Sequence, residues 1–181
     1  LMVESPSPKG GGLFPCLERG NRARSADKKQ EMRLSLCVIA GNVEHYMPRF
    51  LESFKELADE VCVTLAQGNQ PQDDTHRIAF DAGCKLKRYD NKPGCDWPHV
   101  DDFAAARNMA CEMATGDWLM WADTDDVITP ESIAAIKALL PQIPDDIDGV
   151  LMPYVIPEDG VINWRERLWR KGKARWENPI H

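Results

Sequence analysis

Apolar residues recur along this chain in two periods, and the alternation between them lays out the domain. Residues 34–40 (Leu-Ser-Leu-Cys-Val-Ile-Ala) and 61–66 (Val-Cys-Val-Thr-Leu-Ala) are short apolar runs that stop at Gly41-Asn42 and near Gly68-Asn69. Runs of this length bounded by turn formers predict buried strands. Between them Met47, Phe50, Leu51, Phe54 and Leu57 fall at helical spacing, with Pro48 early enough for a first turn. A short helix is predicted up to about Ala82, and residues 85–89 alternate as a third, more exposed strand.

The second half continues the pattern. A helix is predicted over about residues 100–115, with Phe103, Ala106, Ala110 and Met113 on one stripe and Gly116 as its stop. Residues 118–122 form a fourth strand. Thr129 is placed to cap a further helix that opens with Pro130 and turns Ile133, Ile136 and Leu140 inward. Residues 149–156 predict a strand that Pro153 breaks or confines to an edge. From Val161 onward only short aromatic and basic strand-like pieces are expected. The order βαβαβαβα with buried strands describes an α/β domain of three αβα layers and a mostly parallel sheet.

Composition narrows the classes. Residues 1–32 hold Ser-Pro-Ser-Pro, a triple glycine and a run of basic residues, with little apolar surface, so they are expected to be a disordered N-terminal extension ahead of a domain over residues 33–181. A formal net charge of −7 argues against a nucleic-acid binder held by a basic face. The six cysteines are scattered without a CxxC pair, as small buried hydrophobes of a reducing compartment would be. No apolar run approaches the roughly 20 residues of a membrane span, and no signal-peptide core is evident, so a cytoplasmic location is expected.

The chemistry concentrates where the fourth strand ends. Asp123-Thr124-Asp125-Asp126 puts three carboxylates into four positions directly after Trp118-Leu-Met-Trp-Ala122. Clustered carboxylates repel one another, and hard oxygen ligands of this kind suit Mg²⁺ or Mn²⁺. The strand end is also where open α/β sheets bind ligands. The plainer reading is that Asp123 and Asp125 cap the coming turn. Arg107 shares the helical face of Phe103 and Ala110, so it points toward the sheet and needs an anion. That anion is either an internal carboxylate such as Asp102, or a bound diphosphate near the acidic cluster. Asn108 beside it is expected to cap or orient a loop, and Asp126 only to start the next turn.

Two families compete for these residues. Asp123-Thr-Asp125-Asp-Val-Ile128 is similar to the first motif of haloacid-dehalogenase-type phosphohydrolases, which would make Asp123 a nucleophile in a Mg²⁺-dependent reaction. That motif normally follows the first strand of its domain, whereas here three strands precede it. Three other stretches, in matching order and spacing, resemble family-2 inverting glycosyltransferases of GT-A fold. They are Leu36-Cys-Val-Ile-Ala-Gly-Asn-Val-Glu44, Asp102-Phe-Ala-Ala-Ala-Arg107-Asn108, and Thr115-Gly-Asp-Trp-Leu-Met-Trp-Ala-Asp-Thr-Asp-Asp126. Arg167-Leu-Trp-Arg170 and Arg175-Trp-Glu-Asn-Pro-Ile-His181 are a weaker echo of the end of that domain.

The resemblance implies a metal-dependent transferase that moves a sugar from a nucleotide-diphosphate sugar, UDP- or GDP-linked, to a saccharide, lipid or protein acceptor. Asp125 would ligate Mn²⁺ or Mg²⁺, with Asp123 and His181 also near the metal. Asp125 and Arg107 would carry catalysis. Asn42, Glu44, Asp102, Arg107 and Asp123 would line the donor site. The family's nucleotide-binding Asp after the second strand is replaced here by Leu65-Ala-Gln-Gly-Asn69, leaving Gln67 or Asn69 to substitute and a non-catalytic binding module as a further alternative. Glu158, Asp159 and Glu177 are candidates for the acceptor base, each equally readable as a surface charge. The domain is also expected to stop short of the family's usual C-terminal end.

Overall fold

The computed structural model describes residues 32–156 and 160–179. The expected N-terminal extension therefore lies outside the described residues except for Met32, which packs against the core. Glu158, Asp159 and His181 lie outside them as well.

Six strands form one sheet in the order β3-β2-β1-β4-β6-β5. β1 (Leu34–Ala40), β2 (Glu60–Gln67), β3 (Lys85–Asp90) and β4 (Trp118–Trp121) pair in parallel. β6 (Ile162–Arg170) pairs antiparallel with both β4 and β5 (Gly149–Val155). The helices are α1 (Met47–Phe54), α2 (Thr75–Asp81), α3 (Phe103–Met113) and α4 (Pro130–Leu139). Among the described residues no helix is long and apolar enough to cross a membrane.

β1 shows why the sheet is covered on both faces. Leu34, Leu36, Val38 and Ala40 join Phe50 and Phe54 of α1, Ala79 of α2, and Ile133 and Ile136 of α4 in the main core. Cys37, one step out of phase, faces the opposite side with Ala110 of α3, Leu119 and Trp169. Successive side chains of a strand point to opposite faces, so a run apolar at every position needs a layer on each side. The exposed third strand is the edge strand β3, and Pro153 sits in the other edge strand, β5, as its missing N–H requires.

Two expectations need correction. Gly116 does not stop α3, whose C-cap is Ala114 in an extended conformation. Its small size serves a close approach instead: a Cβ there would lie 2.7 Å from Ser35 Oγ and 2.8 Å from the Arg33 carbonyl oxygen. The aromatic and basic residues after Val161 are not short pieces but one nine-residue strand, β6, inserted between β4 and β5.

A part-buried carboxylate ties the far end of the sheet together. Glu60 accepts from Ser35 Oγ at 2.6 Å and from the Thr115 amide and hydroxyl, and it pairs with Lys85 at 2.6 Å. Burial alone would raise its pKa, but Lys85, Ser35 and Thr115 together bring it from 4.5 down to about 2. A depressed folded-state pKa contributes stability at neutral pH that is lost as pH falls from about 4.5 toward 2. Glu60→Gln is expected to cost on the order of 2 kcal/mol at pH 7, allowing for the exposed Lys85 partner, with the difference vanishing near pH 2. Urea titrations of both proteins across that range check it.

Candidate functional site

The sheet order places the site. From β1 the chain winds outward to β2 and β3, then returns through α3 to β4 on the other side of β1. The carboxyl ends of β1 and β4 therefore flank a topological switch point, where open α/β sheets leave a crevice. A cleft of about 220 Å³ opens there, lined by Ile39, Val43, Tyr46, Trp97, Pro98 and Phe103 on its apolar side. Arg107, Asp123, Thr124 and Asp125 supply its polar side.

Arg107 reaches the cleft from α3 and is buried, its side chain 8% exposed. Its guanidinium lies 4.3 Å from the centre of the Trp121 ring and 4.4 Å from that of Trp176. Aromatic faces attract a cation and shield it from water without supplying a counter-ion. The Arg107 pKa is lowered, chiefly by burial, with Asp123 acting against the shift. Its contact with Asp123 Oδ1 is long, at 3.5 Å, and that carboxylate is 53% exposed. Asp102, the other internal partner considered, instead caps α3 by accepting from the Ala105 amide at 2.8 Å.

The acidic turn is differentiated residue by residue. Burial is the largest influence on Asp123 and raises its pKa, while Arg107 lowers it. Asp125 is exposed at the cleft; its backbone oxygen accepts from Arg49 at 3.1 Å, and its carboxylate makes no hydrogen bond or ion pair with a described residue. Asp126 is no bystander to the turn. Its Oδ2 accepts from the Asp123 amide at 2.9 Å and from Arg167 Nη1 at 2.8 Å.

The remaining predicted residues brace the cleft walls. Asn42 donates to the Pro71 carbonyl at 2.7 Å and accepts from the Asp73 amide at 3.3 Å. Glu44 accepts from the Asp74 amide at 2.9 Å, and its own amide donates to Asp73 at 3.0 Å. Both thus lock the loop after β1 to the loop before α2. The turn after β2, which follows Gln67 and holds Asn69, receives a carboxylate from elsewhere. Asp96 Oδ1 accepts from the Asn69 and Gln70 amides at 2.6 and 3.1 Å, over Gly68, where any Cβ would collide with it. Asn108 orients the tail, exchanging hydrogen bonds of 2.9 and 3.0 Å with the backbone of Trp176. Glu177 follows, exposed.

Tyr46 and Trp97 carry no signal in the sequence that marks them for a site, and Trp121, Arg167 and Trp176 stand there only within motif stretches, without a role of their own. Trp121 ends a strand whose burial already explains an aromatic residue. Trp176 is brought to Arg107 by a tail held on α3 by Asn108 and by the Phe103 amide, which donates to the Pro179 carbonyl at 3.0 Å.

The donor set fits a hard divalent cation. Among the described residues no three His, Cys, Asp or Glu side chains converge as a complete cage. Mg²⁺-type sites, however, usually take only one or two carboxylates, the rest coming from phosphate oxygens and water. Asp125, uncommitted, and Asp123, half-exposed beside it, meet that requirement.

Comparison with known proteins bears on the fold and the family. The chain is 38% identical over 110 residues to a TPR repeat-containing protein of Synechococcus elongatus, covering 61% of this chain and 25% of that one. It is 30% identical over 100 residues to the glycosyltransferase SunS of Bacillus subtilis, covering 48% and 23%. It thus spans about a quarter of the length of these curated relatives. Glucosyl-3-phosphoglycerate synthase from Mycobacterium tuberculosis, solved with UDP, shares the fold at a TM-score of 0.54 and 17% identity, over 79% of this chain and 58% of that one. The phosphohydrolase alternative, with Asp123 as nucleophile, gives way here, because the family description "Glycosyl transferase family 2" matches residues 35–180. The fold is GT-A, and the chain belongs to glycosyl transferase family 2.

Proposed function

We propose that this domain binds a UDP- or GDP-sugar in the cleft between β1 and β4, with Mn²⁺ or Mg²⁺, and transfers the sugar with inversion to a saccharide, lipid or protein acceptor. The observation that carries this reading is Arg107, a buried guanidinium facing the cleft whose one ion pair among the described residues is a long contact to a half-exposed carboxylate. A charge so placed favours an incoming anion, and a diphosphate offers oxygens in the geometry a guanidinium fork matches. The name of the relative SunS supports sugar transfer as the reaction class.

Asp125 and Asp123 would hold the cation, and His181 is carried as a third ligand on the family resemblance alone. When bound, the cation supplies Lewis-acid neutralisation of the diphosphate. The chain's own residues do the rest. Arg107 donates to phosphate oxygens whose charge grows as the sugar departs, and Trp121 and Trp176 keep its guanidinium from being solvated. Asn42, Glu44 and Asp102 hold the walls around the donor through the loop and helix contacts they make. Ile39, Val43, Tyr46, Trp97 and Phe103 offer the nucleoside an apolar wall. Inversion needs a carboxylate base opposite the leaving group, with Glu177, Glu158 and Asp159 as the sequence's candidates. A cytoplasmic location stays part of the proposal.

A thermal-shift panel of UDP, GDP, CDP and dTDP, each with and without Mn²⁺, tests it. Ligand that binds only the folded state raises the melting temperature, by an amount that follows about 2.7 kcal/mol at a hundredfold excess over Kd. The expected result is a rise for UDP or GDP that requires Mn²⁺. A flat panel would overturn the donor-site reading, whereas a rise without hydrolysis of the sugar nucleotide would favour the non-catalytic module.

A further inference from the structure

We infer that Arg167, on β6, is a positioning residue for the metal- and phosphate-binding turn of the cleft, acting through Asp126. This rests on the donor-site reading above. The Arg167–Asp126 pair is close, at 2.8 Å, and buried, with side chains 8% and 9% exposed. Replacing such a pair by well-packed apolar residues is often neutral or stabilising, so stability alone gives little reason for it. Its geometry supplies another. The Asp126 oxygen that takes Arg167 also accepts from the Asp123 amide. The same Arg167 nitrogen donates to the Trp121 carbonyl at 3.3 Å. One guanidinium thus grips the turn at the residue where β4 ends and at the residue where the acidic cluster ends.

Two consequences follow for the cleft. Asp126 is neutralised within the fold, so of the three clustered carboxylates only Asp123 and Asp125 are left facing the ligand. The Trp121 ring is held between two guanidiniums, with Arg167 at 3.8 Å and Arg107 at 4.3 Å from its centre. Arg167 therefore sets both the Asp123 backbone and the aromatic surface on which Arg107 rests. Residues standing behind metal ligands in this way affect metal affinity or activity by about 10–100-fold.

The test uses Arg167→Met and, should that variant fold poorly, Arg167→Lys, which keeps a charge without the planar fork. Hydrogen exchange at the Asp123 amide is expected to speed up by about tenfold or more in the Met variant, with amides in β1 unchanged. Calorimetric affinity for UDP or GDP in the presence of Mn²⁺ is expected to fall by about 10–100-fold in the Met variant and by less in the Lys variant. A lower melting temperature with unaltered Asp123 exchange and unaltered Mn²⁺-dependent affinity would overturn the inference and leave the donor site standing. Unmodified protein that binds neither nucleotide with Mn²⁺ would instead overturn the donor-site reading, and with it the role given to Arg167.

Discussion

Asp125→Ala is expected to abolish the metal-dependent part of donor binding and, with it, turnover. Among the described residues the Asp125 carboxylate has no hydrogen-bond or ion-pair partner, and its backbone oxygen accepts from Arg49. Its removal should therefore cost little stability, so the loss would be chemical. A Lewis-acid contact to a departing diphosphate is worth several kcal/mol, which corresponds to a rate loss of roughly 10²–10⁴-fold. Titration of Mn²⁺ against UDP or GDP binding, together with hydrolysis of the sugar nucleotide, reads both effects. Affinity and metal dependence unchanged in the variant would remove Asp125 from the metal site.

Arg107→Met is expected to lower kcat/KM by roughly 10²–10³-fold, the range found when a donor to developing negative charge is deleted. Methionine keeps an apolar side chain against Trp121 and Trp176 and removes an unsolvated charge, and the Asp123 left behind is half-exposed, so the fold is expected to hold. That divergence separates the two readings of this arginine. Were Arg107 mainly the internal partner of Asp123, the variant would leave a carboxylate without its cation and unfold more readily, with donor affinity in the folded protein little altered. Paired denaturant and steady-state measurements distinguish the outcomes.

Arg107 and Asp125 could be picked out from the chain because each carries a local contradiction. A cation on the inward stripe of a helix and carboxylates closing a buried strand both break the rule that polar groups stay in water, and such breaks mark sites. The strands and helices were legible for a related reason, since period and turn chemistry are properties of neighbouring residues. β6 was not. Its residues Ile162-Asn-Trp-Arg-Glu-Arg-Leu-Trp-Arg170 alternate poorly, being exposed over the half that extends past β4 and buried at Arg167, Leu168 and Trp169, where β4 lies alongside. Gly116 was misread because a glycine after a helix looks the same whether it caps the helix or admits a neighbouring backbone.

By itself, then, the sequence determined the order of elements as far as β5, a sheet covered on both faces and the acidic turn with its facing arginine. These follow from apolar period and from charges in places that demand a counter-charge. The tertiary structure alone decided how the three carboxylates divide their work. That depends on β6 entering the sheet beside β4 and bringing Arg167 to Asp126. It also alone brought Trp176 onto Arg107, through the tail's bonds to Asn108, and Asp96 onto the turn after β2. Contacts of this kind join residues 27 to 68 positions apart, and their partners are chosen by strand order and packing rather than by anything a neighbouring residue encodes.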